Sequence, residues 1–296
     1  MTITLDSRTL DAATLTHLRG WSGKSETLHD DITAAPVAGL AATLDRNDPA
    51  PTPGDPLPPL WHWLYFLPQH RQSEIGPDGH ARRGGFLPPV PLPRRMWAGG
   101  RLEWRHDNPL RIGDAVQRVS RIESVAHKAG RTGDLLFVLV KHEVHNAKGL
   151  ALTEEHDIVF RAAAQPGDLA PPPVAAEQNA FWQREITPDD VMLFRYSALT
   201  FNGHRIHYDR RYVTDVEGYP GLIVHGPLIA TLLIDLIRRE KPDAHIARFN
   251  FKAVRPTFDL NPFRLNGQLE SDGKSVRLWA SDHEGWLTMQ GAATLG

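Results

Sequence analysis

The segment from residue 226 to residue 239 constrains the fold most, because its helical pattern is apolar on every side. It reads Gly-Pro-Leu-Ile-Ala-Thr-Leu-Leu-Ile-Asp-Leu-Ile-Arg-Arg. Pro227 stands at the favourable first position of a helix, and Pro242 ends the helix after its last turn. A helix that is apolar all round is buried on every side. We therefore expect an α+β architecture in which an antiparallel sheet is wrapped around a long central helix.

Strand patterns account for most of the remaining sequence. In the first half, a strand at 135–144 is expected to pair with residues 117–126 through the turn Gly130–Gly133, and 151–161 is the next strand. In the second half, three strands are expected to form a meander that a fourth strand closes. These strands are 245–254, 263–270, 274–280 and 286–293.

Prolines near the midpoint divide the chain into two halves. Proline fixes φ and lacks an N–H donor, so Pro166 and Pro171–Pro173 predict an extended linker at 165–177. The predicted domains on either side are 1–164 and 178–296. The first half has a single, shorter candidate for a central helix, at 59–66.

The two halves also resemble each other in sequence at an offset of 154 residues, the difference between 187 and 33. The aligned pairs are Thr33 with Thr187, Val37 with Val191, and Leu40 with Phe194. Each threonine is expected to be the N-cap of a short helix. We interpret the halves as two copies of one fold joined in a single chain.

Composition removes several classes of function. The 296 residues include no cysteine, which excludes disulfides, thiolate nucleophiles and Cys-ligated metals. The formal net charge of -2 supplies no field that would attract nucleic acid or an anionic membrane. The most apolar stretch, 221–237, is interrupted by His225 and Asp235 and is shorter than the roughly 20 residues of a membrane span. With no visible secretory signal, we expect a cytoplasmic protein without nucleic-acid or membrane partners.

Motifs for other enzyme classes do not occur. The sequence has no Gly-x-Ser-x-Gly elbow, no P-loop and no Gly-x-Gly-x-x-Gly, so serine-hydrolase, NTPase and Rossmann interpretations lack support. The segment His142-Glu-Val-His145 looks like a metal motif, but residues three apart on a strand point to opposite faces. No metal site is expected.

A histidine-rich loop stands before the apolar helix. Phe201–Asp209 reads Phe-Asn-Gly-His-Arg-Ile-His-Tyr-Asp, and Val224-His225-Gly226 then opens the helix. The unpaired N–H groups at a helix N-terminus suit an oxygen that gains negative charge during a reaction. A histidine base facing such a terminus is what α-proton chemistry or hydration next to a carbonyl requires.

These residues resemble the active-site pattern of the MaoC-like, or (R)-specific enoyl-thioester hydratase, family. The resemblance lies in Tyr196–Asp209 and Leu222–Gly226. Stretches of the first half at 93–104, 130–133 and 153–159 are similar to the companion domain of double-hotdog members. The resemblance implies a double hotdog, that is, two antiparallel sheets each wrapped around a central helix, with a degenerate copy at 1–164 and a catalytic copy at 178–296.

The resemblance also implies roles for individual residues. His207 falls on the family's catalytic histidine, and Gly226 on the glycine whose N–H polarises the thioester carbonyl. Asn202 stands where the family has its catalytic aspartate, and it can orient water but cannot accept a proton. His204 stands where the family has asparagine. The form Phe-Asn-x-His-x-Ile-His is similar to that of mesaconyl-CoA and itaconyl-CoA hydratases and mitochondrial 3-hydroxyacyl-thioester dehydratases.

The expected function is that of a hydro-lyase which hydrates an enoyl-CoA or dehydrates a 3-hydroxyacyl-CoA, with a short dicarboxylic acyl group. Coenzyme A is part of the substrate and no cofactor is expected. The expected substrate-binding residues are His204, Tyr196, Ser197, His225, Arg94, Arg95 and Arg131. For the arginines, two interpretations stay open: they contact coenzyme A phosphates or a substrate carboxylate, or they belong to a solvated loop. For Tyr196 and Ser197, two interpretations stay open: they are polar groups of the acyl pocket, or they are packing residues.

Three alternatives stay open: an acyl-carrier-protein dehydratase, a thioesterase and an acyl-thioester binding protein without catalysis. A thioesterase would need a carboxylate to activate water at the carbonyl, and Asn202 argues against it. Monomer and homodimer are both compatible with the sequence.

Overall fold

A computed structural model describes residues 9–130, 133–163 and 171–296, and within these residues it contains one ten-stranded antiparallel sheet. The strands are β1 (Ser25–Asp31), β2 (Arg94–Trp104), β3 (Ala115–Gly130), β4 (Gly133–Asn146), β5 (Gly149–Arg161), β6 (Trp182–Ile186), β7 (Ile246–Ala253), β8 (Phe263–Leu269), β9 (Ser275–Ser281) and β10 (Leu287–Leu295). The α-helices are α1 (Ala12–Arg19), α2 (Ala34–Thr43), α3 (Asp190–Leu199), α4 (Arg210–Asp215) and α5 (Gly226–Glu240), and 3-10 turns lie at Trp61–Leu64, Gln72–Glu74 and Arg205–His207.

The order of strands across the sheet shows that the two halves share one topology. The order is β1-β3-β4-β5-β2-β7-β10-β9-β8-β6. When the strands of each half are numbered along the chain, both halves have the order first, third, fourth, fifth, second from the outer edge of the sheet to its centre. The second strands of the two halves, β2 and β7, pair over Gly99–Glu103. The predicted pair of sheets is therefore one continuous sheet, because each copy covers the edge that the other would expose.

The predicted hairpin of the first half is confirmed, since β3 and β4 pair out to Gly130 and Gly133. The meander of the second half differs in one strand. β8, β9 and β10 are successive neighbours, but β7 pairs with β10 and not with β8. The connection 254–262 contains Pro256 and Pro262, and proline does not support the tight hairpin that pairing of β7 with β8 would need.

The short helices α2 and α3 are the repeated helices, and they pack against each other. Their N-caps are Thr33 and Asp189, an offset of 156 (189 minus 33), so the predicted cap at Thr187 and offset of 154 are wrong. The offset of 156 aligns buried residues with buried residues, Val37 with Leu193 and Leu40 with Tyr196. The predicted partners Val191 and Phe194 are 57% and 63% exposed. Apolar residues three positions apart occur on the exposed face of these helices as well as on the buried face. The offset of 154 therefore aligned buried residues of α2 with exposed residues of α3.

The helix α5 is buried as predicted. Residues 228–237 are all buried, and proline stands at the first turn. The helix packs against β6, β8, β9 and β10. No helix among the described ranges is long and apolar enough to cross a membrane.

A buried carboxylate fixes the C-terminal end of α5 to the rest of the molecule. Asp235 accepts hydrogen bonds from Arg46 at 2.5 Å, Arg184 at 3.0 Å and Arg239 at 2.7 Å. The Asp235 side chain is completely buried. Arg46 follows α2 in the first half and Arg184 lies in β6 of the second half, so this carboxylate ties both halves to the same helix.

The first half has no counterpart of α5 in the part of the chain that is described. The helix expected at 59–66 is a 3-10 turn of four residues, 61–64, that follows Pro58-Pro59. Glu154 lies on the inner face of the sheet and accepts hydrogen bonds from His62, His156 and Trp63 at 2.9, 2.6 and 2.8 Å. Burial alone would raise the pKa of Glu154, but His156 and His62 hold it well below its usual range. The short turn of the first half is thus linked to the sheet by a buried polar network, whereas α5 packs through apolar side chains.

Candidate active site

The histidine loop is fixed to the strand-like segment that leads into α5. The Ile223 N–H donates to the Ile206 carbonyl at 3.0 Å, and the His207 Nδ1–H donates to the Ile223 carbonyl at 2.7 Å. A carbonyl oxygen only accepts, so Nδ1 of the neutral imidazole carries the proton and Nε2 keeps its lone pair. Burial lowers the pKa of His207 to about 4. His207 is therefore a neutral base near neutral pH, with Nε2 available.

His207 lies directly beside the start of α5. Its ring stacks on the ring of His225, with centroids 3.8 Å apart, and His225 is the N-cap residue of the helix. The Gly226 N–H has no hydrogen-bond partner among the described residues. A Cβ added to Gly226 would meet only Met289, at 4.0 Å, so the space beside this amide is open. The geometry thus brings a base and an unpaired helix-terminal donor to the same place.

Two predicted substrate-binding residues hold His225. The Ser197 hydroxyl is hydrogen-bonded to His225 Nε2 at 2.8 Å, and the Tyr196 ring packs edge-on against the imidazole at 5.0 Å. Both residues are buried on α3. Burial, followed by the nearby His207 and His204, holds the pKa of His225 well below its usual range. In this structure Tyr196 and Ser197 position a histidine, which is closer to the packing interpretation of these two residues.

Asn202 fixes the loop and retains free donors. Its Oδ1 accepts the His204 N–H at 3.0 Å, and its own N–H donates to the Ser197 carbonyl at 2.8 Å. Its side-chain NH₂ makes no hydrogen bond within the described ranges and is available to hold a water. The predicted role of Asn202 in orienting water stays a prediction with compatible geometry.

The first half contributes residues that the sequence analysis did not select. The His80 Nδ1–H donates to Asp78 Oδ2 at 3.0 Å, and the His80 ring lies 3.9 Å from that of His204. His204 in turn lies 5.5 Å from His207. Burial and the nearby His80 lower the pKa of His204 to about 2. The site is therefore built from both halves.

A close backbone contact holds the two loops together. The Arg205 N–H donates to the Asp78 carbonyl at 2.9 Å, and the Arg205 guanidinium donates to Pro77 at 3.0 Å. Gly79 has φ +90, and a Cβ there would come within 1.8 Å of the Gly203 carbonyl oxygen. Glycine is required at position 79 both for its backbone conformation and for this approach.

The predicted arginines lie in different places. Arg95 is half-buried, makes no hydrogen bond or ion pair within the described residues, and adds to the lowering of the pKa that burial causes at His80 and His204. Arg94 stacks over Tyr219, with its guanidinium carbon 5.5 Å from the ring centre. Arg131 lies outside the described residues. Arg95 is thus the predicted arginine that the structure brings to the histidines.

Asp78, His80 and His204 are close enough together to be considered as cation ligands, since one ligand atom from each lies within 4.8 Å of the others. The charge around them argues otherwise, because the positive charges of Arg95 and Arg83 both act to lower the pKa of His80. Two guanidinium charges oppose the binding of a cation. The expectation of no metal stays a prediction.

A groove of about 1000 Å³ lies elsewhere. It runs between residues 174–177 and the sheet face that carries Phe137, Val159 and Lys252. None of the site histidines lines it. It is therefore separate from the candidate site.

Comparison with solved structures defines the class of fold. HtdX of Mycobacterium tuberculosis superimposes with a TM-score of 0.62 at 19% identity, covering 91% of this chain and 99% of that chain. A second protein of M. tuberculosis, described as having a double hotdog fold, superimposes with a TM-score of 0.57 at 12% identity, covering 93% of this chain and 96% of that chain. The double-hotdog fold is confirmed.

Sequence comparison then gives the family. The family described as hydroxyacyl-thioester dehydratase type 2 matches residues 60–259. Mesaconyl-C(4)-CoA hydratase of Chloroflexus aurantiacus is 45% identical over 279 residues, which is 93% of this chain and 97% of the relative. The chain therefore belongs to the hydroxyacyl-thioester dehydratase type 2 family, and the prediction of a hydro-lyase related to the MaoC-like enzymes is confirmed.

Proposed function

We propose that this hydro-lyase adds water reversibly to the double bond of an enoyl-CoA, with His207 as the base and Gly226 as the oxyanion donor. The observation that carries the proposal is the hydrogen bond from His207 Nδ1 to Ile223. It leaves Nε2 as a lone-pair base, in an imidazole that stacks on the residue preceding Gly226. No cofactor takes part in the proposed step, which uses side chains, one backbone amide and water.

The geometry supports the following sequence of events. The thioester carbonyl accepts a hydrogen bond from the Gly226 N–H at the positive end of α5, which stabilises negative charge that develops on the oxygen. Asn202 holds a water near the β-carbon. His207 Nε2 takes a proton from this water while its oxygen bonds to the β-carbon. The proton that His207 has taken then goes to the α-carbon, which leaves His207 neutral again, and dehydration follows the same path in reverse.

We further propose a substrate that carries a carboxylate on its acyl group, of the mesaconyl-C4-CoA type. Arg95 supports this choice because its guanidinium lies half-buried near the histidines without an ion partner among the described residues. A guanidinium matches a carboxylate by paired hydrogen bonds. The relative with 45% identity is described as acting on this thioester. The proposal also includes coenzyme A as carrier and a cytoplasmic location.

Arg95→Gln tests the proposed substrate class. The variant should lower kcat/KM for mesaconyl-C4-CoA by about 10- to 100-fold, since a charge-assisted hydrogen bond contributes roughly 1.5–3 kcal/mol. The value for crotonyl-CoA, which has no acyl carboxylate, should change less than about threefold. Absorbance of the enoyl thioester follows hydration, and a thiol reagent detects any hydrolysis.

The matched control is Arg82→Gln, because Arg82 is an exposed arginine of the same loop region. It should leave both substrates unaffected. Equal losses for both substrates in Arg95→Gln would contradict the carboxylate subsite. Release of free thiol by the wild-type protein would favour a thioesterase, and binding without any absorbance change would favour a non-catalytic protein. Faster turnover of acyl-carrier-protein thioesters than of CoA thioesters would contradict the proposed carrier.

A further inference from the structure

The pair formed by Asp78 and His80 has no part in the steps above, although it lies in the same site. His80 is hydrogen-bonded to Asp78 and its ring packs at a tilt against that of His204, which lies edge-on to His207. The ring-centre distances along this series are 3.9 Å and 5.5 Å. Three imidazoles, including that of the proposed base, therefore lie in a row that ends at a carboxylate of the first half.

The loop that carries the base offers no free carboxylate of its own between residues 201 and 209, all of which are described. Asn202 has an amide, which does not accept a proton. Asp209 receives two hydrogen bonds from Arg205, at 3.0 and 2.7 Å, and also caps α4 through the Tyr212 N–H. Asp78 is thus the carboxylate placed to stabilise a proton on the histidines.

We propose that His80, positioned by Asp78, holds the proton that His207 takes from water and delivers it to the α-carbon of the substrate. This inference rests on the proposed hydration and adds a second proton-handling residue to it. No hydrogen bond joins the three rings within the described ranges, so the proton moves from His207 to His80 through bridging water. Asp78 acts through His80 and is a positioning residue.

The proposed transfers balance over one turnover. The water oxygen forms a bond to the β-carbon, the π electrons of the double bond move toward the α-carbon and carbonyl oxygen, and one water proton goes to His207 Nε2. Bridging water carries that proton to His80, where the Asp78 carboxylate stabilises the imidazolium. It then forms the new C–H bond at the α-carbon. One water is consumed, and all three imidazoles are neutral again.

The charges around His80 fit a proton held only briefly. The titratable and charged groups that interact with it electrostatically are Asp78, His204, His207, Arg83 and Arg95. Burial lowers the pKa of His80, Asp78 opposes this change, and Arg95 and Arg83 add to it. The resting imidazole is therefore neutral and able to receive a proton. Among the three imidazoles of the row, His80 is the one with a hydrogen-bonded carboxylate, so the proton is most stable there.

His80→Gln and Asp78→Asn test the inference through kcat, KM and the pH profile of mesaconyl-C4-CoA hydration. His80→Gln should lower kcat about a hundredfold and Asp78→Asn about tenfold, with little change in KM. Asp78→Asn should also move the acid limb of the kcat profile to lower pH. The carboxylate favours the protonated form of His80, so without it His80 becomes neutral at a lower pH.

Asp134→Asn is the matched control, because Asp134 forms an ion pair with His127 at 2.9 Å elsewhere in the first half. It should leave kcat and the acid limb unchanged. Wild-type kcat in His80→Gln would overturn the inference, as would an unmoved acid limb in a folded Asp78→Asn protein. Loss of wild-type activity on adding a chelator, restored by Zn²⁺, would overturn it in favour of a cation site. A wild-type protein that hydrates none of the enoyl-CoAs would instead refute the proposed function.

Discussion

His207→Asn should lower kcat for hydration by about a hundredfold or more, because asparagine does not take a proton from water. The asparagine amide can still donate to the Ile223 carbonyl, which the imidazole Nδ1 meets at 2.7 Å. The fold and thioester binding should therefore persist. Initial rates with an enoyl-CoA, the dissociation constant of the thioester and the melting temperature measure the three parts of this expectation.

The pH at which this base works follows from its environment. Burial lowers the pKa of His207 to about 4, so the imidazole is neutral near neutral pH and is lost as a base only as the pH falls toward that value. His142→Asn provides the control, since it removes a buried imidazole from the first half, outside the site. The control should keep the wild-type rate. A His207→Asn protein that retained half the wild-type kcat would remove His207 from the mechanism.

Asp235→Ala should reduce the free energy of unfolding by about 3–5 kcal/mol, the range seen when one partner of a buried ion pair is removed. The substitution leaves the guanidinium groups of Arg46, Arg184 and Arg239 without their common carboxylate. Because these residues join α5 to both halves of the chain, the loss should lower the stability of the whole molecule. Urea unfolding followed by circular dichroism measures it.

Asp48→Ala is the companion variant for Asp235→Ala. Asp48 also contacts Arg46 but is partly exposed, and an exposed ion pair contributes about 0–1 kcal/mol. Asp48→Ala should therefore have a much smaller effect on unfolding. Similar losses for the two variants would show that burial of Asp235 does not account for its contribution.

Local patterns in the sequence predicted the elements that position the site. The apolar run of α5, its start at Gly226 and the loop containing His204 and His207 all follow from spacing within one segment. The strands that pair through a short turn, such as β3 and β4, were also predictable, because the turn fixes the partner. These features depend on contacts between residues that are near each other in the chain.

Contacts between distant segments could not be predicted in this way. The pairing of β2 with β7 joins strands from different halves, and no local pattern selects that partner. Asp78 and His80 reach the site because their loop lies against Gly203 and Arg205, and the hydrogen bond from Arg205 to Pro77 spans 128 residues. The short segment Asp78-Gly79-His80 has no periodicity that would have selected it. Its only signal was an aspartate, a glycine and a histidine in a glycine-rich stretch.

The most direct test of the account is a crystal structure of the His207→Asn protein with a 3-hydroxyacyl-CoA, which this variant should turn over slowly enough to trap. We expect the thioester oxygen to lie about 3 Å from the Gly226 nitrogen, a normal hydrogen-bond distance, with the β-hydroxyl directed at residue 207. An acyl group bound away from both residues would contradict the account.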